Sequence, residues 1–354
     1  MTERASGRPW RLPTLAVAVS VSIGLSACST ASNQAAAGSS GGAAAKPSIS
    51  SPSQLKIAYF SAGSSNAYLQ AGIAAAKDTA AKMGATLDVF DGQFDSRTQF
   101  NQMQTALTSE KYNAFAVEPN DGNLVCNMLT KQAPAQGIMV TIFNEPICGR
   151  ATNSGDALYQ PGTVTYVGGQ TLDSYLEWVK QIVADNPNGG TVAVVTGPDL
   201  NANTLVMREA EKTLKANPKF KVVAEQTTDY TTPKAFSAAQ TILQSNPDLN
   251  LIMSNYSGMS QGVVQAVNGA GRKGQVRIYD FGGDSWAVNA VKSGDLRQTV
   301  MMLPRQETIQ ALQALADKVQ GKTVPQFIDL TKSTTLPGTP FVSASNATSF
   351  NPEY

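Results

Sequence analysis

Leu55-Lys56-Ile57-Ala58-Tyr59-Phe60 is a short apolar run of strand-forming residues, and a helical pattern over about 66–83 follows it and stops on Gly84. A strand of that length passing into an amphipathic helix, with a glycine to supply the C-terminal stop, is the first half of a strand–helix–strand unit. The pattern repeats outward. Strands are predicted at 86–90, 112–117 and 138–143, separated by helices beginning near Asp95 and Asn120. After a polar, glycine-containing loop over 145–162, a second series is predicted near 164–167, 191–195, 220–225, 249–253 and 276–279. Pro187-Asn188-Gly189-Gly190, Asn217-Pro218 and Asn246-Pro247 punctuate it where helices must end. Such alternation belongs to parallel sheets covered by helices, so the fold class is α/β. A late strand at 297–302, a helix over about 304–320 and a strand at 326–330 are too short for a third domain and must return to the earlier ones. The reading is two doubly wound lobes joined by a hinge that the chain crosses more than once: 54–155 with 303–331 as the N-terminal lobe, 156–302 with 332–354 as the C-terminal lobe.

Ahead of the first strand the composition changes. Residues 1–27 read as a signal peptide: Arg4, Arg8 and Arg11 precede an apolar run over 12–25 that is too short to span a bilayer. Leu25-Ser26-Ala27-Cys28 resembles the lipobox of bacterial lipoproteins, which implies that Cys28 is lipidated and begins the mature chain. Residues 28–53 are almost entirely small and polar, too poor in large apolar residues to offset the entropy of ordering them, and read as a flexible tether. Beyond it, roughly 300 residues exceed what one core usually supports.

Charge selects no partner. Lys and Arg number 27 against 26 Asp and Glu; removing three Arg and one Glu with residues 1–27 takes the net from +1 to −1. No basic stripe is present, which argues against nucleic acid. The chain contains no histidine, the commonest general base and transition-metal ligand, and no metal or cofactor site is read from it. Cys126 and Cys148 form an even pair in a chain that signals export, so a disulfide is expected. It would close a loop of about 20 residues, worth roughly 3 kcal/mol in the chain-entropy model; two buried free thiols are the alternative.

Several segments then carry a family likeness. Ile57-Ala58-Tyr59-Phe60 with Asn66-Ala67-Tyr68, then Gly84-Ala85-Thr86-Leu87, Asn113 through Asp121 and Gly137-Ile138-Met139-Val140 follow one another as in the periplasmic binding proteins of the ribose and galactose type. The likeness continues through Thr196-Gly197-Pro198, Asn246-Pro247-Asp248-Leu249-Asn250, Ala270-Gly271-Arg272 and Val291-Lys292-Ser293-Gly294-Asp295-Leu296. The chain thus resembles the solute-binding components of ABC transporters, whose type I fold is shared with lactose-repressor-type regulators. The resemblance implies a ligand held between the lobes, at the carboxyl ends of strands, where open α/β sheets bind ligands in general.

Onto that pattern fall Asn66 and Tyr68, matching the polar and aromatic positions of the first ligand loop, although Asn66 also suits a helix cap. Asn144 and Glu145 stand where sugar-binding members often carry Asp-Arg. Asn144 can donate and accept, whereas Glu145 reverses the charge and suits hydroxyl donors, a cationic ligand or plain solvation. Arg208 matches the family's ligand arginine if one residue is inserted in the preceding loop, with a surface role as the alternative. Tyr230 matches an aromatic wall and Asn255 the asparagine after the strand at 249–253. Gly282 and Met302 depart from the pattern, having replaced an Asp and a Gln; Asp284 or Asp280 could supply the missing carboxylate.

Two motifs fail. Gly258-Met259-Ser260-Gln261-Gly262 fits a nucleophile elbow, but the usual base is absent from the chain. Gly269-Ala270-Gly271-Arg272-Lys273-Gly274 ends a helix, the reverse of a dinucleotide fingerprint. Asp91 and Asp95 at a helix entry read as capping rather than as an acid pair. The expectation is therefore a monomeric, non-enzymatic, lipid-anchored binder on the extracytoplasmic face of the membrane. It would capture a small polar ligand, a sugar or polyol first, and present it to ABC permease subunits. The alternatives are a sensor subunit, or a binder of a nucleoside or amino-acid derivative.

Overall fold

The computed structural model describes residues 49–354; the expected signal peptide, the expected lipidation site Cys28 and most of the expected tether lie outside the described residues. A turn forms at the end of the expected tether. Ser51 accepts from the Ser53 amide, and the Gln54 side chain returns to the Ser51 amide at 3.1 Å, a reciprocal cap on the 3-10 turn Pro52–Gln54.

The first sheet is built from β1 (Lys56–Ser61), α1 (Ala67–Met83), β2 (Thr86–Asp91), α2 (Ser96–Thr108), β3 (Ala114–Val117), α3 (Ala133–Ala135), β4 (Met139–Phe143) and β5 (Thr165–Gly168). The chain continues through α4 (Leu172–Asp185), β6 (Gly190–Thr196), α5 (Ala202–Lys215), β7 (Phe220–Thr227), α6 (Thr232–Ser245), β8 (Leu251–Ser254) and α7 (Ser257–Gly269). It ends with β9 (Arg277–Gly282), α8 (Ser285–Lys292), β10 (Gln298–Met301), α9 (Pro304–Val319), β11 (Phe327–Asp329) and β12 (Phe341–Ser343). The sheet orders are β11-β5-β4-β3-β1-β2 and β12-β10-β9-β8-β6-β7, parallel throughout except for β12, which pairs antiparallel with β10.

One boundary is corrected. β5, predicted to open the second series, pairs with β4 through Thr141 and Thr165 and carries β11 on its other side, so it belongs to the first sheet. The loop before it is polar and glycine-containing because it doubles back to the same sheet. A disulfide between Cys126 and Cys148, with Cα atoms 5.0 Å apart, pins it to the segment after β3. The chain therefore passes to the second sheet between β5 and β6, returns between β10 and α9, and passes again between β11 and β12. α9 packs on α1, β4 and β5, and α4 on α5.

The helix expected from Asn120 is also altered. Asp121 accepts from the amides of Asn123 and Leu124 in a tight turn, and a π-helical turn, Met128–Gln132, precedes α3. Pro134 has no amide hydrogen for the carbonyl four residues back, so the regular helical ladder is interrupted there.

Buried strands carry the core. Ile57, Ala58, Tyr59 and Phe60 of β1 are almost fully enclosed, and alanines 75, 76 and 80 of α1 let α9 approach with Ala311, Leu312 and Leu315. On the second sheet Tyr175 stacks on Phe281 at 4.2 Å with Trp178 edge-on at 5.6 Å, contacts worth about 0.5–1.5 kcal/mol each beyond their buried area. Among the described residues no helix is long and apolar enough to cross a membrane.

Candidate functional site

Parallel strands in both sheets point their carboxyl ends toward one cleft, with about 460 Å³ of empty space including its open mouth. From the first sheet it is lined by Asn66 and Tyr68 at the start of α1, Phe94 after β2, Glu118 after β3, Asn144 and Glu145 after β4, and Gln170 after β5. From the second come Asn201 and Asn203 at the start of α5, Tyr230 after β7, Asn255 and Tyr256 after β8, and Met302 after β10.

On the first-sheet side the polar groups form a chain. Glu118 Oε1 accepts from Asn144 Nδ2 at 2.7 Å, and Glu118 Oε2 from the Ser61 hydroxyl and Ala62 amide at 3.4 Å. Asn144 Oδ1 accepts from Gln170 Nε2 at 2.5 Å. Its backbone lies in the left-handed region, φ 59°, which asparagine tolerates better than most residues and which turns its side chain inward at the end of β4. Tyr68 donates its hydroxyl to Glu307, in the first turn of α9, and sets its ring edge-on to Tyr354 at 5.6 Å. Asn66 caps α1, accepting from the Leu69 amide at 2.9 Å, while also lining the cleft.

Glu145 joins the two sheets. It accepts from the Asn201 side chain and, at 3.4 Å, from the Ala202 amide at the amino end of α5, where the helix dipole favours a negative group. Burial, and secondarily the neighbouring Glu118, push its pKa up to about 8; burial pushes Glu118 up to about 7 and Glu307 well above the usual carboxyl range. Among the described residues no lysine or arginine lines the cleft.

On the second-sheet side Asn201 caps α5 through its Oδ1, which also accepts from the Tyr230 hydroxyl at 2.7 Å. Tyr230 sits at φ 64°, a strained setting for a bulky residue, and its ring lies directly over Gly197: a Cβ there would fall 1.9 Å from the ring Cζ. Asn255 is 2% exposed and neither polar atom of its side chain has a hydrogen bond of normal geometry, although the Tyr175 and Tyr230 hydroxyls are close enough to feel its dipole. Asn203 Oδ1 is likewise buried without a donor. Buried amides without partners in a cleft wall mark places where a ligand completes the bonding.

Two expected site residues lie elsewhere. Arg208 faces away, paired with Asp199 at 2.8 Å and Glu225 at 2.5 Å. The inserted-residue alignment fails because Asn201 and Asn203 already present the first turn of α5 to the cleft. Five residues further on, the helix has rotated by about 140°. Asp284 caps α8, accepting from the Ala287 amide at 2.7 Å, and does not line the cleft. Asp280 is buried behind the cleft on the hydroxyls of Ser257, Ser260 and Thr299, at 3.0, 2.5 and 2.5 Å. At Gly282 a Cβ would meet Ser257 Oγ at 2.0 Å, and the Gly282 carbonyl accepts from the Tyr354 hydroxyl at 2.7 Å, so no side chain can replace the missing carboxylate there. Asp95 caps α2, and Asp91 is bonded to the Gln93 amide and Ser64.

Glu118, Gln170, Asn201 and Asn203 went unread in the sequence. Glu118 directly follows a strand-forming run, and Asn201 precedes an apolar helical run, so both carried a local signal; Gln170 was hidden by the misassigned β5.

The periplasmic binding protein domain model matches residues 57–323, most of the chain and nearly all of both sheets. The chain belongs to the periplasmic binding protein domain family. This family comprises solute-binding components of transport systems, which bind rather than transform, and its sugar-binding members work with the permease subunits of ABC importers. Among curated relatives, the D-allose-binding periplasmic protein of Escherichia coli K12 is 28% identical over 260 residues, covering 70% of this chain and 80% of that protein. The ribose import binding protein RbsB of Bacillus subtilis 168 is 25% identical over 250 residues, 70% and 76% respectively. Among solved structures, an ABC transporter solute binding protein from Mycobacterium smegmatis with bound glycerol is 27% identical with a TM-score of 0.71, covering 84% of this chain and 96% of that one. The Caulobacter myo-inositol binding protein, at 22% identity and a TM-score of 0.71 over 84% and 96%, shares the fold. β11, β12 and the C-terminal segment that sets Tyr354 against Tyr68 lie beyond the matched family region.

Proposed function

We propose that this periplasmic binding protein is a lipid-anchored receptor that captures a small polyhydroxylated ligand in the cleft and delivers it to the permease of an ABC importer. The observation that carries this reading is the wall of buried amides and tyrosines contributed by both sheets, above all Asn255 with its unpaired amide. Aromatic faces suit the C–H side of a sugar or polyol, and unpaired amides suit its hydroxyls. Asn66, Tyr68, Asn144, Glu145, Tyr230 and Asn255, together with Glu118, Gln170, Asn201 and Asn203, are the proposed ligand groups.

The proposed lobes are residues 54–168 with 303–331, and 169–302 with 332–354. Ligand spanning both would favour the closed arrangement by its differential affinity for it, and the permease would read that closure in a monomeric receptor. Cys28 is the proposed lipid attachment point; a Cys28→Ser chain released from membranes supports it, and one retained there as firmly as wild type refutes it.

A thermal-shift screen of sugars and polyols tests the cleft. A ligand at about 100 times its dissociation constant adds roughly 2.7 kcal/mol of stability, and Asn255→Ala should weaken that response. If no such compound raises the melting temperature, or if Asn255→Ala responds as wild type does, the cleft is not the capture site.

A further inference from the structure

Resting on that reading of the cleft, we infer that the ligand is cationic: a polyhydroxylated compound bearing one ammonium group, such as an amino sugar or amino polyol. The fully enclosed polar atoms of the cleft wall are mostly acceptors. Glu118 and Glu145, 3% and 5% exposed, present carboxyl oxygens held only by neutral donors: the Ser61 hydroxyl, the Ala62 and Ala202 amides, and the side chains of Asn144 and Asn201. Asn255 Oδ1 and Asn203 Oδ1 are two further buried acceptors without a hydrogen bond of normal geometry, against one such buried donor of the lining, Asn255 Nδ2, among the described residues.

A neutral sugar brings more acceptor sites than donors, since each hydroxyl carries one donor and two lone pairs, and would leave this surplus unmet. An ammonium group brings three donors and no acceptor. Unpaired buried carboxyls are costly to ionise, and a cation placed between them removes that cost. The titratable groups around the pair, Asp121, Glu307, Tyr59, Tyr68, Tyr166, Tyr175 and Tyr230, are acidic or phenolic, and among the described residues no lysine or arginine lines the cleft to supply a counter-charge. Arg208, the arginine of α5, is already engaged by Asp199 and Glu225. The rings of Tyr68, Phe94, Tyr230 and Tyr256 complete a wall of the kind that attracts cations through their π faces.

The test is calorimetric titration of the full chain with matched pairs that differ by one hydroxyl-to-amine exchange. Suitable pairs are glycerol with 2-amino-1,3-propanediol, glucose with glucosamine, and galactose with galactosamine, near pH 7, where an aliphatic amine is largely protonated. In at least one pair the amine should bind about tenfold tighter or better, as expected for exchanging a neutral for a charge-assisted hydrogen bond. Glu145→Gln, and independently Glu118→Gln, should collapse the ratio between the two members of that pair. Equal or tighter binding of the neutral member in every pair that binds overturns the cationic inference and leaves the polyol reading standing. An amine preference that persists undiminished in both variants overturns it too. Silence from both members of every pair overturns the polyol reading and the inference with it.

Discussion

Folding stability should fall as pH rises from about 5 to about 9, and Glu145 should carry a measurable share of the fall. An ordinary glutamate titrates at 4.5, while Glu145 in the folded chain is held up to about 8 and Glu118 up to about 7, burial being the main cause of both. A raised carboxyl pKa means that the folded state binds the proton more tightly than the unfolded chain does. The resulting stability is fully present below the unfolded value and is lost as pH climbs through the folded one. At about 1.4 kcal/mol per tenfold, ionising Glu145 in place costs about 5 kcal/mol and Glu118 about 3 kcal/mol. The loss actually seen should be smaller, roughly 2–4 kcal/mol, because the cleft can open and hydrate the carboxyls for a few kcal/mol without unfolding. Other buried acids act in the same direction: burial holds Asp280 up to about 6 and also raises Glu307, Asp284, Glu211 and Glu353. The chain has no histidine, and the acids with depressed pKa values, such as Asp88, Asp185, Glu225 and Asp295, add stability that is lost only as pH falls into the acid range. Urea unfolding followed by the fluorescence of buried Trp178 across this range measures the slope, and Glu145→Gln should flatten it. A wild-type curve that is level or rising, or a variant with the wild-type slope, refutes this account of the cleft acids.

Gly197→Ala should cost about 1–3 kcal/mol and displace the Tyr230 ring, because the new methyl would sit 1.9 Å from Cζ and break the 2.7 Å bond to Asn201; a melting curve superimposed on wild type would contradict the packing. Arg208→Ala should leave ligand affinity as in wild type and lower stability by no more than about 1 kcal/mol, since both its partners are partly solvated carboxylates; a tenfold loss of affinity would put this arginine back in the cleft.

Strand–helix alternation made most of the fold legible, since β1 through β11 are short apolar runs between helical patterns and turn residues. Sheet membership was less legible. The period that announces β5 says nothing about its partner, and only the disulfide-pinned loop and the pairing with β4 reveal it. β12 escaped because three residues on an antiparallel edge give too little pattern. Within the cleft, positions directly after strands were readable, as at Asn144, Glu145 and Asn255. Helix phase was not: Arg208 was placed in the cleft although the helix turns by about 140° between Asn203, which lines it, and Arg208, and an aspartate at Asp284 cannot be told from a ligand group until its amide partner is seen.

The threefold passage between sheets has a consequence for how the chain is made and exported. α9 covers β4 and β5, and β11 completes the edge of the first sheet, yet both lie after the whole of β6 through β10 in the sequence. A chain emerging amino end first therefore leaves the part of the first sheet under α9, on β3 to β5, exposed until nearly all of it has crossed the membrane. Docking of α9 becomes the late step that locks the earlier half in place. Such a delay keeps the chain loose enough for a translocation channel, and it makes truncation anywhere before α9 a route to aggregation rather than to a working half-receptor.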